Sequence, residues 1–281
     1  MRKEVIALLL LVIVVATFWF FTRPKEEQVM CPAVCKYGCI TGTAQCREPP
    51  PLVCPSTCKL GCKPGTTQCK PEVVEPRATR ITGCGALNET SEMVFNLHSD
   101  EQCLVIQRDN IILDCMSNMI LGNGKTGSYG IYLKGRKNVT IQNCVIENYG
   151  SGIVVDSSSN ISILNVRVVD NLDDGILISS SKSVLLDRAL SLKNSNGLFI
   201  ISSENLVLSN NSFSENVFGI LIVSSEIASL SGNRICSSWS MDMKCENSQI
   251  MQSEGNTCGL AVECEVECSL CSEIDQRPDI D

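Results

Sequence analysis

The sequence predicts an all-β protein, a right-handed parallel β-helix of about six coils behind an N-terminal transmembrane helix and small cysteine-rich modules. Three observations point there: a glycine at a nearly fixed period, aliphatic columns locked to it, and no helical stretch inside the repeat. Gly130, Gly152, Gly175, Gly197 and Gly219 lie 22, 23, 22 and 22 residues apart, and each precedes an aliphatic residue: Ile131, Ile153, Ile176, Leu198 and Ile220. Leu133, Val155, Ile178, Ile200 and Ile222 follow three residues after each glycine. Further columns stand nine residues on (Val139, Ile161, Val184, Leu206, Ala228) and eleven on (Ile141, Ile163, Leu186, Leu208, Leu230). A spacing of two is that of a strand, in which alternate side chains share a face.

A period of this length admits a leucine-rich horseshoe or a parallel β-helix. The horseshoe needs a helical or 3₁₀ stretch and an asparagine three residues past its last strand leucine. Here each repeat runs from β-branched strand through a Ser/Asn/Gly turn to strand again, and Asn143, Asn165 and Asn210 sit two residues past the strand aliphatic. Asn138, Asn160 and Asn205 recur at equivalent positions, as expected of turns in which each carboxamide bonds to its copy above and below.

At the N-terminus, Val5 to Phe21 is an uncharged apolar run of 17 residues between Arg2, Lys3 and Arg23, Lys25. It is just long enough to span a bilayer. The run ends Phe18-Trp19-Phe20-Phe21, which suits an interfacial aromatic belt better than a signal-peptidase site. Residues 1–27 are therefore read as an uncleaved signal anchor, N-terminus cytoplasmic and the bulk of the chain extracytoplasmic. Eighteen cysteines agree with an oxidising exterior.

Residues 28–80 hold two copies of one unit, CPAVCKYGCITGTAQC (31–46) and CPSTCKLGCKPGTTQC (54–69), joined and followed by proline-rich linkers. Sixteen residues cannot build a hydrophobic core and need staples. Cys31, Cys35, Cys39, Cys46 and Cys54, Cys58, Cys62, Cys69 are expected as two disulfides per unit, with a Cys₄ zinc site as the alternative. The linkers are stiff and extended.

Residues 81–101 are read as an N-terminal cap and 102–235 as the β-helix. A first, less regular coil fits the frame with Cys103, Val105, Ile111 and Leu113, and a looped insertion at 117–127 separates it from the next. Residues 236–281 form a cysteine-rich acidic cap and tail, with ten carboxylates against two basic side chains, which leaves the rest of the chain neutral. Expected bridges are Cys84 with Cys103 and Cys115 with Cys144, and Cys236 and Cys245 are further disulfide candidates. No basic stripe exists for nucleic acid, which excludes that class of partner.

The runs NIILDC (110–115), GNGKTGSYGIYL (122–133), NVTIQNC (138–144) and GNTC (255–258) resemble the right-handed β-helix proteins of archaeal cell surfaces, akin to the NosD-like and the carbohydrate-binding and sugar-hydrolase β-helices. The resemblance covers residues 84 to about 260. It implies a surface polysaccharide or glycan as ligand, and in its NosD aspect an accessory role in metal delivery with thiolates as ligands. It carries over no catalytic residue.

Enzymes of this architecture place carboxylates, arginines or histidines outward on neighbouring coils. The single histidine, His98, precedes the regular coils, and no cofactor motif or metal-ligand set is read. Glu147, Asp170, Lys193 and Glu215 are assigned to matching places on four coils, and with Asp173 and Asp174 the carboxylates are the candidates for a lyase, hydrolase or uronate epimerase. The favoured reading is a solvated charge ladder in which Lys193 neutralises its neighbours, with Lys134 and Asp156 as a surface ion pair.

The outward position two past each glycine holds Tyr132, Val154, Leu177, Phe199 and Leu221. Such an apolar stripe should not face water. It is expected to be a binding surface, covered by residues 236–271 or by a partner, a second copy included. Of four Asn-X-Ser/Thr sequons, Asn88 lies outside the coils and is the candidate glycan acceptor. The favoured function is a membrane-anchored surface protein that binds glycan or is structural, rather than an enzyme.

Overall fold

A computed structural model of the protein describes residues 78–272, together with 32–36, 39, 40, 45, 46, 55, 66 and 68. The chain divides into two compact units, Met1–Val73 and Val74–Asp281. In the first, Cys35 bridges Cys46, Cys39 is also disulfide-bonded, and Cys39 and Cys46 pair as an isolated antiparallel bridge. Those three described sulfurs stand in bridges. The membrane span and Cys31, Cys54, Cys58, Cys62 and Cys69 lie outside the described residues. Among the described residues no helix is long and apolar enough to cross a membrane.

The second unit is a parallel β-helix of three sheets, of nine, ten and nine strands in the order described below. The first sheet takes the strands that follow the column glycines, such as Ser151–Asp156, Asp174–Ser179 and Asn196–Ile201. The second takes Lys137–Gln142, Ser159–Leu164 and Lys182–Asp187. The third is built from short strands, Val145–Glu147, Arg167–Val169 and Leu190–Leu192 among them.

The first two sheets follow the sequence columns. Ile153 pairs with Ile131 and Ile176, and Ile163 with Ile141 and Leu186. All are fully buried. The third sheet closes the core with Ile146, Val168, Ser191, Phe213 and Ile235, a column on the same period that stands in strands too short to show alternation.

The coil count rises from six to about eight. Residues 79–98 and 241–270 are not separate plugs: they contribute strands to the same three sheets, from Thr79–Ile81 to Cys268–Leu270. Many are only two or three residues long and lack the column glycine, which hid them. The stretch 117–127 likewise contains a strand of the third sheet, Met119–Leu121. In the first coil the inward residues are Leu104 and Ile106, paired with Ile131 and Leu133. Val105 points outward, so the expected frame was one residue off there.

The column glycines are set by crowding. A Cβ on Gly152, Gly175 or Gly197 would come within 2.5–2.7 Å of the carbonyl oxygen of the glycine one coil on. No side chain fits where backbones approach so closely.

Three ladders bind coil to coil at the turns. Between the first and second sheets the backbone N–H groups of Ser158, Ser181 and Ser203 donate to the hydroxyls of Ser181, Ser203 and Ser225, each at 3.0 Å. Between the second and third, Asn211 and Asn233 donate from backbone and carboxamide to Asn233 and Asn256. Between the third and first, Asn171 and Asn194 do the same to Asn194 and Asn216. These carboxamides are buried. The expected exposed ladder is present as Asn160 to Asn138 to Asn110, at 2.6 and 2.8 Å, whereas Asn205 reaches Ser183 instead.

Five bridges staple this unit: Cys84–Cys103, Cys115–Cys144, Cys236–Cys271, Cys245–Cys264 and Cys258–Cys268. They are clustered toward the two ends of the stack.

Candidate functional site

The turn that leads from the third sheet into the first places two outward columns side by side. In one stand Asn148, Asp170, Lys193, Glu215 and Ser237, all in the left-handed backbone region with φ between 54 and 62°. That conformation is cheap for Asn and Asp and costly for Lys and Glu, so the column marks a bend that charged residues have been fitted into.

Glu147 does not belong to it. It pairs with Val169 one residue earlier and holds Arg167 at 2.9 Å. Lys193 lies 3.9 Å from Glu215, and the Lys134–Asp156 pair is present at 2.8 Å, where the Lys134 ammonium holds the Asp156 carboxyl below the usual carboxylate range.

The second column follows the buried Asn ladder: Gly150, Leu172, Ser195, Val217 and Trp239. Leu172, Val217 and Trp239 are aligned by backbone bonds to Tyr149, Asn194 and Asn216 on the preceding coil. They are 50, 42 and 45% exposed. With Asp170, Lys193 and Glu215 they line an open groove of about 650 Å³. This column was legible as an apolar residue recurring directly after the turn asparagine, at Leu172 and Val217, but Trp239 sits in a segment without the column glycine.

Asp173 is an extra residue in its coil and is exposed. Asp174 occupies the register position of Ser151 and Asn196 and is 7% exposed. Burial pushes its carboxyl up to about 6, against the Asn196 carboxamide that donates to it at 2.8 Å and with the help of Asp173. Asp174 stands two residues past Leu172 in the chain but is not among the residues that line the groove.

The expected apolar stripe lies on the first sheet. Tyr132, Val154, Leu177, Phe199 and Leu221 do form one column of the first sheet. Stacked copies above and below shield each other: Val154 is 5% exposed, the others are half-buried, and Tyr132 stacks on Tyr129 with ring centroids 5.4 Å apart. The tail is not its lid. Met241–Glu246 pairs with Phe218–Val223 as the next strand, and Lys244 takes the place after Leu221. Asn88 is exposed in the turn after Gly85–Leu87.

A family model described as NosD, periplasmic copper-binding protein, matches residues 77–257. The chain belongs to the NosD family. No curated protein matches in sequence. Among solved structures, the enzymatically active domain of bacteriophage CBA120 tailspike protein 2 aligns at 12% identity and a TM-score of 0.49, covering 67% of this chain and 42% of that one. The catalytic domain of a GH87 α-1,3-glucanase variant, D1069A, in complex with tetrasaccharides, aligns at 12% identity and 0.27, covering 71% and 63%. The chain thus spans less than half of the tailspike domain.

The copper in the NosD description finds no matching donor set among the described residues. Every cysteine from Cys84 to Cys271 is in a bridge, so thiolates are not on offer. The one imidazole, His98, is exposed, with Nε2 3.3 Å from Asp100. Among the described residues no group of three His, Cys, Asp or Glu side chains is placed to hold a metal.

Proposed function

We propose that this NosD-family chain is an extracytoplasmic β-helix, tethered by residues 5–21, that binds a glycan along the groove of Asp170, Leu172, Lys193, Glu215, Val217 and Trp239. The observation that carries this reading is the half-exposed Trp239, aligned with Leu172 and Val217 beside a column of charged groups. A sugar presents apolar C–H faces and hydroxyl edges, and an aromatic ring flanked by carboxylates offers a partner to each. The coil rise of about 4.8 Å is comparable to one sugar of an extended chain, so successive rungs meet successive residues of a polymer. Five bridges support the extracytoplasmic placement, since such bonds persist in oxidising compartments. Self-association, where it occurs, uses the half-buried column of Tyr132, Leu177, Phe199 and Leu221.

A second reading, a carbohydrate-active enzyme, is favoured by Asp174, whose carboxyl at about 6 is suited to donating a proton to a leaving oxygen. Asp170 and Asp173 are its nearest chain partners for a second carboxylate. Glu147, held by Arg167, is less suited.

The purified protein incubated with acidic and neutral polysaccharides, scored for both retention and cleavage, tests the two readings together. Trp239→Ala lowers retention about tenfold if the groove binds, the size expected for a lost stacking contact. Retention equal to the parent sinks the groove reading. Reducing ends produced by the parent and absent with Asp174→Asn decide for the enzyme.

A further inference from the structure

We infer that Asn88 is an N-linked glycosylation site whose glycan shields the open N-terminal edge of the coil stack. The fold separates the four sequons. Asn160 Nδ2 donates to Asn138 Oδ1 at 2.6 Å, Asn138 Nδ2 to Asn110 Oδ1 at 2.8 Å, and Asn210 Nδ2 to Asp187 Oδ1 at 3.1 Å. All three have φ 55° and stand within coil-to-coil ladders. Glycan transfer at any of them pulls the acceptor nitrogen out of a bond that joins two coils.

Asn88 has no such tie. It is exposed, sits in the turn between Gly85–Leu87 and Ser91–Met93, and has an ordinary backbone conformation. Its carboxamide makes no hydrogen bond among the described residues. Thr90, the third residue of the sequon, accepts at Oγ1 from the Ile112 N–H at 3.2 Å and keeps its own hydroxyl hydrogen to donate. Both polar groups of the acceptor are therefore available in the folded chain.

The place gives the modification a purpose. Gly85–Leu87 is the terminal strand of its sheet among the described residues and pairs on one side only, with Leu104–Ile106. A row of unpaired backbone groups invites another strand, and a bulky hydrophilic group one residue beyond that strand obstructs it. In the transfer, Asn88 Nδ2 bonds to C1 of a lipid-phosphate-linked oligosaccharide. The C1–O bond breaks, the lipid phosphate leaves with the electron pair, and the amide proton passes to a base of the transferase.

The inference rests on the extracytoplasmic placement but not on the groove. The test is full-length protein made in a eukaryotic secretory host, mapped by peptide mass spectrometry before and after peptide-N-glycosidase. Expected is one occupied site, lost in Asn88→Gln and in Thr90→Val and kept in Asn138→Gln, Asn160→Gln and Asn210→Gln. A bare Asn88 in the parent, or equal occupancy at the ladder asparagines, overturns the site. Asn88→Gln should melt with the parent yet sediment as larger species at the same concentration. A variant that stays as monodisperse as the parent overturns the shielding role.

Discussion

Between Val145 and Ile235 the β-helix contains no cysteine, whereas the described coils on either side hold ten, all bridged. The strands differ in the same sense. Middle coils are built on six-residue strands such as Asp174–Ser179 and Lys182–Asp187, end coils on pieces of two or three such as Leu97–His98 and Ala261–Val262. A middle coil has a neighbour on both faces, complete aliphatic columns and three ladders. Only the outermost coils have a single neighbour and less apolar surface to bury, and the covalent links are clustered toward them. The difference teaches that this repeat is stable by stacking and needs staples only where stacking stops.

The largest effect expected is in the middle. Ile200→Asp places an unpaired charge among fully buried aliphatics and should abolish cooperative folding, at a cost of several kcal/mol. A thermal melt like the parent's would show that the inward frame is wrong. At the C-terminal end, replacing Cys245 and Cys264 together by Ala removes a bridge across 19 residues and should cost about 2–4 kcal/mol. Hydrogen exchange locates the loss: amides of 241–270 should lose protection while those of 151–201 keep theirs. Uniform loss along the coils would mean that ends and middle form one cooperative unit.

Asp174 is the middle's exception, because its folded value of about 6 lies above the ordinary 3.8. The folded chain holds that proton longer than the unfolded one, so stability falls as pH rises from about 4 to 6 and the penalty is complete above. It amounts to at most about 3 kcal/mol. Asp174→Asn should remove this slope and melt higher than the parent at pH 7, as read from calorimetry at several pH values. An unchanged slope would show that the carboxyl titrates normally. A buried carboxyl that weakens the fold at neutral pH fits a role other than stability.

The smallest effects compare two ladders. Asn194→Ala deletes a buried carboxamide that accepts from Asn171 and donates to Asn216, leaving partners unsatisfied, and should cost about 1–3 kcal/mol in urea unfolding. Asn160→Ala, in the exposed ladder, should cost less than about 1 kcal/mol because water replaces its bonds. Equal costs would mean that burial does not set the strength of these ladders.

What repeats could be read directly. The glycine column, the inward aliphatics of two sheets and the Asn138–Asn160 contact follow from a fixed period, because residues one period apart must meet one coil apart, and the bridges Cys84–Cys103 and Cys115–Cys144, at separations of 19 and 29, were read from neighbouring strands instead. The tertiary structure decided what breaks or falls below the period. Strands of two or three residues show no alternation, so the third sheet and the end coils were hidden. A one-residue change in coil length shifts the frame, which is why Cys103 was read for Leu104; Glu147 was set beside Asp170 although the regular register there puts Asn148 in that place. Trp239 joins Leu172 and Val217 only because the buried Asn171–Asn194–Asn216 ladder holds successive turns in register, a contact between distant residues that spacing alone does not specify.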